Sequence, residues 1–533
     1  VGADGRLIRE ADGEVRLVTL AEKLLVPLLV KLSNLVPDSG IWLNTQRPEW
    51  NDANNALAGW GLSLVTLNAI VRYVGLLRDA FTEAPDVELS ASVRSLMDAL
   101  SEVFGELELP LDDAARFSAM RRLGHAGQAH RELVYGRTFG EPVSTSSADI
   151  VALLDDVARL AGATIEASRR PDGLFHSYDI LRFEGEEARV SHLGPMLEGQ
   201  VAVLDSGLLD EDESVALLRA LRESGLYRAD QHSYLLYPDR ASVPFLQRNV
   251  IAGPPPLDDP SLFVLDRAGD WHFQADLSTL TDVEARLDAI AAPAATRDAV
   301  RELWRRTFAH DEFTGRSDRF FMFEGLGSIY WHMVAKLAVA VQGCLDRASE
   351  PQSASDLAAL YHDIRDGLGF RQDPALQGAF PTDPYSHTPQ HMGAQQPGMT
   401  GQVKEQIITR FGELGVEVCE GCVRFAPRLI PGSEFTSVPR SVSFRGGDGR
   451  TTTLELEAGS LAFTYCSVPV VYRLGNTSAI ELQLADGRLE RLDGPSLTRA
   501  QSSALFARGG AYRRISVTVP ADAPYGSSPP TTS

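Results

Sequence analysis

Gln46-Arg47-Pro48-Glu49-Trp50-Asn51-Asp52-Ala53-Asn54-Asn55 runs directly into Ala56-Leu57-Ala58-Gly59-Trp60-Gly61. Residues 49–55 hold two carboxylates, three carboxamides and a tryptophan, and residues 62–77 behind them form an apolar run of helical character. Pro48 disfavours helix at Arg47, so the polar cluster is expected in a loop that leads into that helix. Surface loops usually favour Ser, Gly and Lys. A large aromatic among acids and amides suits a sugar instead, with the ring against a sugar face and the polar side chains bonding its hydroxyls. Asp52 or Asn54 would serve equally well as an N-terminal cap for the helix. Spacing alone does not separate cap from site.

The chain has 533 residues, 44% of them hydrophobic, enough for a large core and more than one domain. Its net charge of -22 argues against nucleic acid, which needs a basic footprint, and against an anionic membrane surface. The longest apolar stretch, 24–35, is broken by Lys31 and Asn34 and is too short to span a bilayer. Of the four cysteines, Cys419-Glu420-Gly421-Cys422 forms a single C-x-x-C without the further ligands a zinc site needs. Cys344, Cys419, Cys422 and Cys466 read as ordinary thiols of a reducing cytoplasm.

Apolar periodicity predicts helices over 17–35 (interrupted at Pro27), 55–81, 87–107, 112–134, 147–167, 195–206 and 211–224. It predicts others over 278–291, 293–309, 326–348, 354–368 and 401–414. Residues 169–189 read as a short hairpin or a loop, and 225–271 and 370–399 as long irregular segments. Helices of this length, joined by alternating short and long loops, lead to the expectation of a toroid of helical hairpins over 1–415. Beyond residue 416 apolar residues alternate at period two between turns, as in Thr451-Thr452-Thr453-Leu454-Glu455-Leu456 and Ile515-Ser516-Val517-Thr518-Val519. Pro469 marks an edge strand or a strand start. A β-sandwich is expected over 416–520, followed by a Pro/Ser/Thr-rich tail, 521–533, expected to be disordered.

Glu49-Trp50-Asn51-Asp52 in such a loop, before a β-sandwich, resembles the catalytic half of the cellobiose and chitobiose phosphorylases, which carry an Asp-Trp-Asn-Asp motif there. Three later stretches also resemble that family, in the same order. Met196-Leu197-Glu198-Gly199-Gln200-Val201-Ala202-Val203-Leu204-Asp205-Ser206-Gly207 is similar to its Pro-Gln-Ser-Trp-Ala-Val-Leu-Ser-Gly helix. Tyr234-Leu235-Leu236-Tyr237-Pro238-Asp239 is similar to its Leu-Leu-Thr-Pro-Pro-Tyr-Asp segment. Gly315-Arg316-Ser317-Asp318-Arg319-Phe320-Phe321-Met322-Phe323-Glu324-Gly325 is similar to its glycine-arginine-aromatic stretch ending in Tyr-Thr-Gly. The resemblance implies a mainly α, (α/α)6 toroid followed by a C-terminal β-sandwich, with Trp50 as the sugar platform and Asp52 as the general acid. Glu49 stands where the family has aspartate. The family's N-terminal sandwich and first toroid helices have no counterpart here. The chain also opens on Val1, so the toroid is expected to be partial and the N-terminal portion of the polypeptide missing.

A second departure bears on the chemistry. The family's Tyr-Thr-Gly threonine helps bind phosphate, whereas Phe323-Glu324-Gly325 puts a carboxylate there. A carboxylate within about 4–6 Å would repel inorganic phosphate. Opposite a general acid, it is the base an inverting hydrolase uses to deprotonate water, with the carboxyl groups about 6.5–9.5 Å apart. Glu324 would otherwise be a first-turn acid favoured by the dipole of the following helix. Its neighbours Phe320, Phe321, Phe323, Tyr330 and Trp331 favour a site.

Two further segments carry candidate residues. His387, His391, Gln395 and Gln396 lie in a long Pro/Gly-rich loop; they could bond sugar hydroxyls, hold phosphate or fix the loop, and the two histidines could ligate a metal, though the sequence shows no third ligand for one. Asp230 and Arg240 lie in a polar-aromatic cluster that suits sugar binding, though such a mixture also occurs in rigid loops. His176 and Asp179 carry a weaker signal, and no metal or cofactor is implied. The expected activity is inverting cleavage of a β-glucoside-type oligosaccharide by water, with Asp52 as acid, Glu324 as base and Asn51, Asn54 and Asn55 orienting the sugar. The alternatives are a disaccharide phosphorylase using inorganic phosphate, and a non-catalytic sugar-binding module.

Overall fold

The computed structural model describes residues 7–9, 12–42, 60–238, 248–308, 327–368, 373–378, 385–389, 393–397, 402–446 and 449–521. The chain divides into two compact units, Val1–Ser349 with Asp366–Gly398 and Glu350–Arg365 with Met399–Ser533.

In the first unit β1 (Leu35–Val36), β2 (Gly40–Trp42), β3 (Gly61–Ser63), β6 (Tyr178–Glu184) and β7 (Glu187–His192) form one antiparallel sheet in that order. β4 (Val87–Ser90) pairs with β5 (Pro142–Thr145), β8 (Tyr227–Arg228) with β9 (Ser233–Tyr234), and β10 (Phe263–Leu265) with β11 (Trp271–Phe273). β12 (Ile329–Tyr330), β13 (Tyr385–Thr388) and β14 (Gln395–Pro397) make a three-stranded sheet. Helices run between and beside these sheets. Leu64–Thr82 packs on Ser147–Ala167 and on Leu197–Ser206, which also meets Trp331–Arg347. Leu67, Val74, Leu153, Leu154 and Val157 are almost fully buried. Each such side chain contributes about 1.5–3 kcal/mol by leaving water.

The chain is therefore a mixed α/β protein with small sheets distributed along its length, not a mainly α (α/α)6 toroid followed by a separate β-sandwich. The physical reason lies in the strands' lengths. β3 has only three residues, all buried, so it shows no period-two alternation in sequence. It merges by composition with the helix behind it, which begins only at Leu64, where the Ser63 hydroxyl accepts from the Thr66 N–H. Similarly, the run 87–107 splits into β4 and helix Ala91–Glu106. Gly40 permits the approach of β2 to β3, because a Cβ there would lie 2.8 Å from the Ser63 carbonyl carbon.

The second unit contains β15 (Val416–Cys419), β16 (Cys422–Phe425), β17 (Arg440–Arg445), β18 (Thr451–Leu456), β19 (Ser460–Tyr465), β20 (Val468–Gly475), β21 (Ala479–Leu484), β22 (Leu489–Asp493) and β23 (Tyr512–Pro520). One five-stranded sheet, β19-β20-β23-β21-β22, has β20 parallel to β23, and two separate hairpins accompany it. Pro469 sits at the start of β20, before the parallel pairing begins at Val470. Helices Gln402–Glu413 and Arg499–Phe506 belong to this unit, as does the helix Pro351–Asp366 up to Arg365.

The Glu413 carboxylate, almost completely buried, joins two of these helices. It accepts from the Tyr361 hydroxyl at 2.8 Å, the Arg365 guanidinium at 2.5 Å and the Arg410 guanidinium at 2.8 Å. Burial pushes this carboxyl up, but the bonds and charges of Arg365 and Arg410, with the Tyr361 hydroxyl, outweigh it and hold it below the ordinary range. No helix among the described residues is long and apolar enough to cross a membrane. Of the expected tail, 521–533, residues 522–533 lie outside the described residues.

Candidate functional site

The five-stranded sheet of the first unit continues into a network of hydrogen bonds, backbone to backbone except where the Gln200 side chain bridges. Trp42 pairs with Leu62, and Leu62 with Asp179. Asp179 in turn faces His192 across the β6–β7 hairpin. Ser177 accepts from the Leu64 N–H, and Tyr178 from the Leu193 N–H. Gln200, fully buried in helix Leu197–Ser206, accepts from the Phe175 N–H and donates to the Phe175 and Met196 carbonyls. Leu197 N–H donates to Leu236, Leu236 N–H to Ser328, Ile329 pairs with Thr388, and His387 with Gln395.

Described residues on this network or close to it in the chain flank the segments that carry the sequence candidates. Trp42 and Trp60 bracket 43–59, Pro238 precedes 239–247, Gly327 follows 309–326, and Pro389 and Gly393 bracket 390–392. Trp42, Trp60 and Phe117 gather around Phe183, with ring centroids 5.9, 6.5 and 6.0 Å away. Trp60 is 55% exposed. An exposed indole backed by other rings is a preformed flat surface for an amphipathic ligand.

Three of the sequence candidates lie close together. Asp230, exposed, accepts from Arg228, whose guanidinium also donates to the Thr388 and Pro389 carbonyls at 3.3 and 3.2 Å. Asp230 thus orients the arginine that holds the end of β13. His387, half-buried, stacks on Tyr330 with centroids 4.8 Å apart, and its Nδ1 lies 2.7 Å from the Ser386 hydroxyl. Gln395 is exposed on β14 and donates to the Gly393 carbonyl. Gln396 lies on the same strand. Glu49, Trp50, Asn51, Asp52, Asn54, Asn55, Arg240, Glu324 and His391 lie outside the described residues.

One constellation was only half read from sequence. Asp179, 1% exposed, accepts from the buried Ser39 hydroxyl at 2.7 Å and lies 2.8 Å from His192 Nδ1. His176 stacks on His192, with centroids 4.2 Å apart and planes 14° apart, and its Nδ1 lies 3.0 Å from the Leu193 carbonyl oxygen. The hydrogen bond to Asp179 pushes His192 up against the effect of burial. Burial and the neighbouring His192 push His176 down. His176 and Asp179 carry a signal in the sequence, but His192 does not. A register count supplies it: with the two-residue turn at Gly185-Glu186 closing Glu184 onto Glu187, Asp179 falls opposite His192. Among the described residues, these three form the group of His, Cys, Asp and Glu side chains close enough to hold a metal ion.

No protein-family model matches the chain, and a search of curated proteins returned no match. The likeness to the cellobiose and chitobiose phosphorylases therefore rests on the motifs quoted above.

Proposed function

We propose that the chain cleaves a glycosidic bond of a β-glucoside-type oligosaccharide, with inversion and with water as nucleophile. The supporting observation is the network of backbone pairings, bridged by the buried Gln200 side chain, which ties together strands next to the segments bearing Asp52, Arg240, Glu324 and His391. A site assembled from segments distant in sequence needs such a rigid frame, because small displacements of acid or base are costly in rate. In this reading Trp50 stacks under the sugar, and Asn51, Asn54 and Asn55 bond its hydroxyls. Asp52 protonates the leaving oxygen. Glu324 takes a proton from water, which attacks the anomeric carbon from the opposite face and inverts it. Four free thiols suit a reducing cytoplasm as its location.

Phosphorolysis is the second reading, and the His387–Ser386 pair on β13 favours it by offering hydrogen-bonding groups to an anion. One assay separates the two. The protein is incubated with β-gluco-oligosaccharides with and without inorganic phosphate, and free sugar and sugar 1-phosphate are separated by chromatography. Free sugar without phosphate, lost in both Asp52→Asn and Glu324→Gln, is the expected result. Sugar 1-phosphate formed only with phosphate would establish the second reading. Neither product from any substrate would overturn both and leave the sugar-binding module.

A further inference from the structure

Beyond glycosidic cleavage, we propose that His176, Asp179 and His192 form a binding site for a divalent transition-metal ion of the zinc class. One ligand atom from each of the three lies within 4.8 Å of the others. Tetrahedral zinc, at about 2.0–2.2 Å from its ligands, needs donors roughly 3.3–3.6 Å apart. His192, whose side chain is 49% exposed, has the freedom to close the difference by a small rotation. Two imidazoles and one carboxylate select zinc or a neighbouring first-row ion over magnesium or calcium, which prefer oxygen donors throughout.

The surroundings have the form expected around metal ligands, whose remaining polar atoms are held by outer partners. The Ser39 hydroxyl, itself fully buried, fixes Asp179 Oδ2. The Leu193 carbonyl engages His176 Nδ1, leaving Nε2 of that ring as the donor with a lone pair. The three residues come from the segment just before β6, from β6 and from the end of β7. An ion there would tie β7 to β6 and to the segment before it; β6 also pairs with β3, the strand that follows residues 43–59.

The test uses the full chain stripped with a chelator and titrated calorimetrically with zinc, with cobalt as a visible-absorption reporter of a low-symmetry site. One equivalent of zinc is expected, with intense cobalt d–d bands. His192→Ala, at a half-exposed position, should weaken binding by at least about 10–100-fold, and Ser39→Ala by a comparable factor through loss of an outer partner. Circular dichroism of each variant checks that the fold is retained; should Ser39→Ala fail to fold, His176→Ala replaces it. Zinc bound equally by wild type and His192→Ala, or no stoichiometric binding by wild type, would overturn the proposal. The titration contains no sugar, so its outcome is independent of the glycosidic reading.

Discussion

Replacing Glu413 by Gln preserves volume while removing the charge on which Tyr361, Arg365 and Arg410 converge. Glutamine offers one oxygen, which can still accept from Tyr361 and Arg365, and turns an NH2 group toward Arg410, so one charge-assisted hydrogen bond worth about 1.5–3 kcal/mol is lost and the bond from Arg365 loses the acceptor's charge. Arg365 and Arg410 are 27% and 38% exposed, so water recovers part of the loss, and a net cost of about 3 kcal/mol is expected. That is a large share of the roughly 5–15 kcal/mol that holds a domain folded. Urea unfolding of the full chain, following the transition of the unit that contains β15–β23, should show it at neutral pH. The pH dependence supplies a second check. A carboxyl whose folded pKa is depressed stabilises the fold fully above its unfolded value, about 4.3 for glutamate, and loses that contribution as pH falls through the folded pKa. The gap between wild type and Glu413→Gln should therefore narrow on acidification. A cost below about 1 kcal/mol at neutral pH, or a gap unchanged in acid, would refute the reasoning.

Three further outcomes follow from the packing. Gly415 has φ +62°, and a Cβ there would lie 2.2 Å from Ala426 C and Pro427 N, so Gly415→Ala should cost about 3 kcal/mol or more, read as a lowered urea midpoint. Phe273→Ala empties a site ringed by Phe263, Trp304 and Phe308 and should cost about 3–5 kcal/mol by the same measurement. Burial pushes the Cys344 thiol up, while Cys419 is exposed. A thiol reagent should therefore modify Cys419 in the native protein and Cys344 only on unfolding, as peptide mapping by mass spectrometry would show.

The long helices were legible in the sequence because their apolar stripes repeat over several turns. Ile150, Leu153, Leu154, Val157 and Leu160 mark out a helix whose observed span, Ser147–Ala167, is the predicted one. The small sheets were not legible. β8, β9 and β12 have two residues each, too few for any period, and the partner of β12 is β13, distant in the chain. Gln200 illustrates the same limit within a site. A carboxamide among apolar residues suggests a solvated helix face, yet here it is fully buried because Phe175 and Met196 supply its partners. Asp230, His387 and Gln395 were singled out by composition alone, and what connects them is Arg228, reaching from one strand pair to the end of another.

The second unit is discontinuous in the chain, and this imposes an order on its synthesis. Arg365 leaves the ribosome 48 residues ahead of Glu413. At about 5–20 residues per second, Tyr361 and Arg365 wait roughly 2–10 s for the carboxylate that joins them. During that interval the apolar face of their helix, with Leu357 and Ile364, has no partner from its own unit. A nascent chain paused between these two points presents this helix without the one that carries Glu413. A fragment begun at residue 399 has the reverse defect, a helix whose Glu413 has lost two of its three donors.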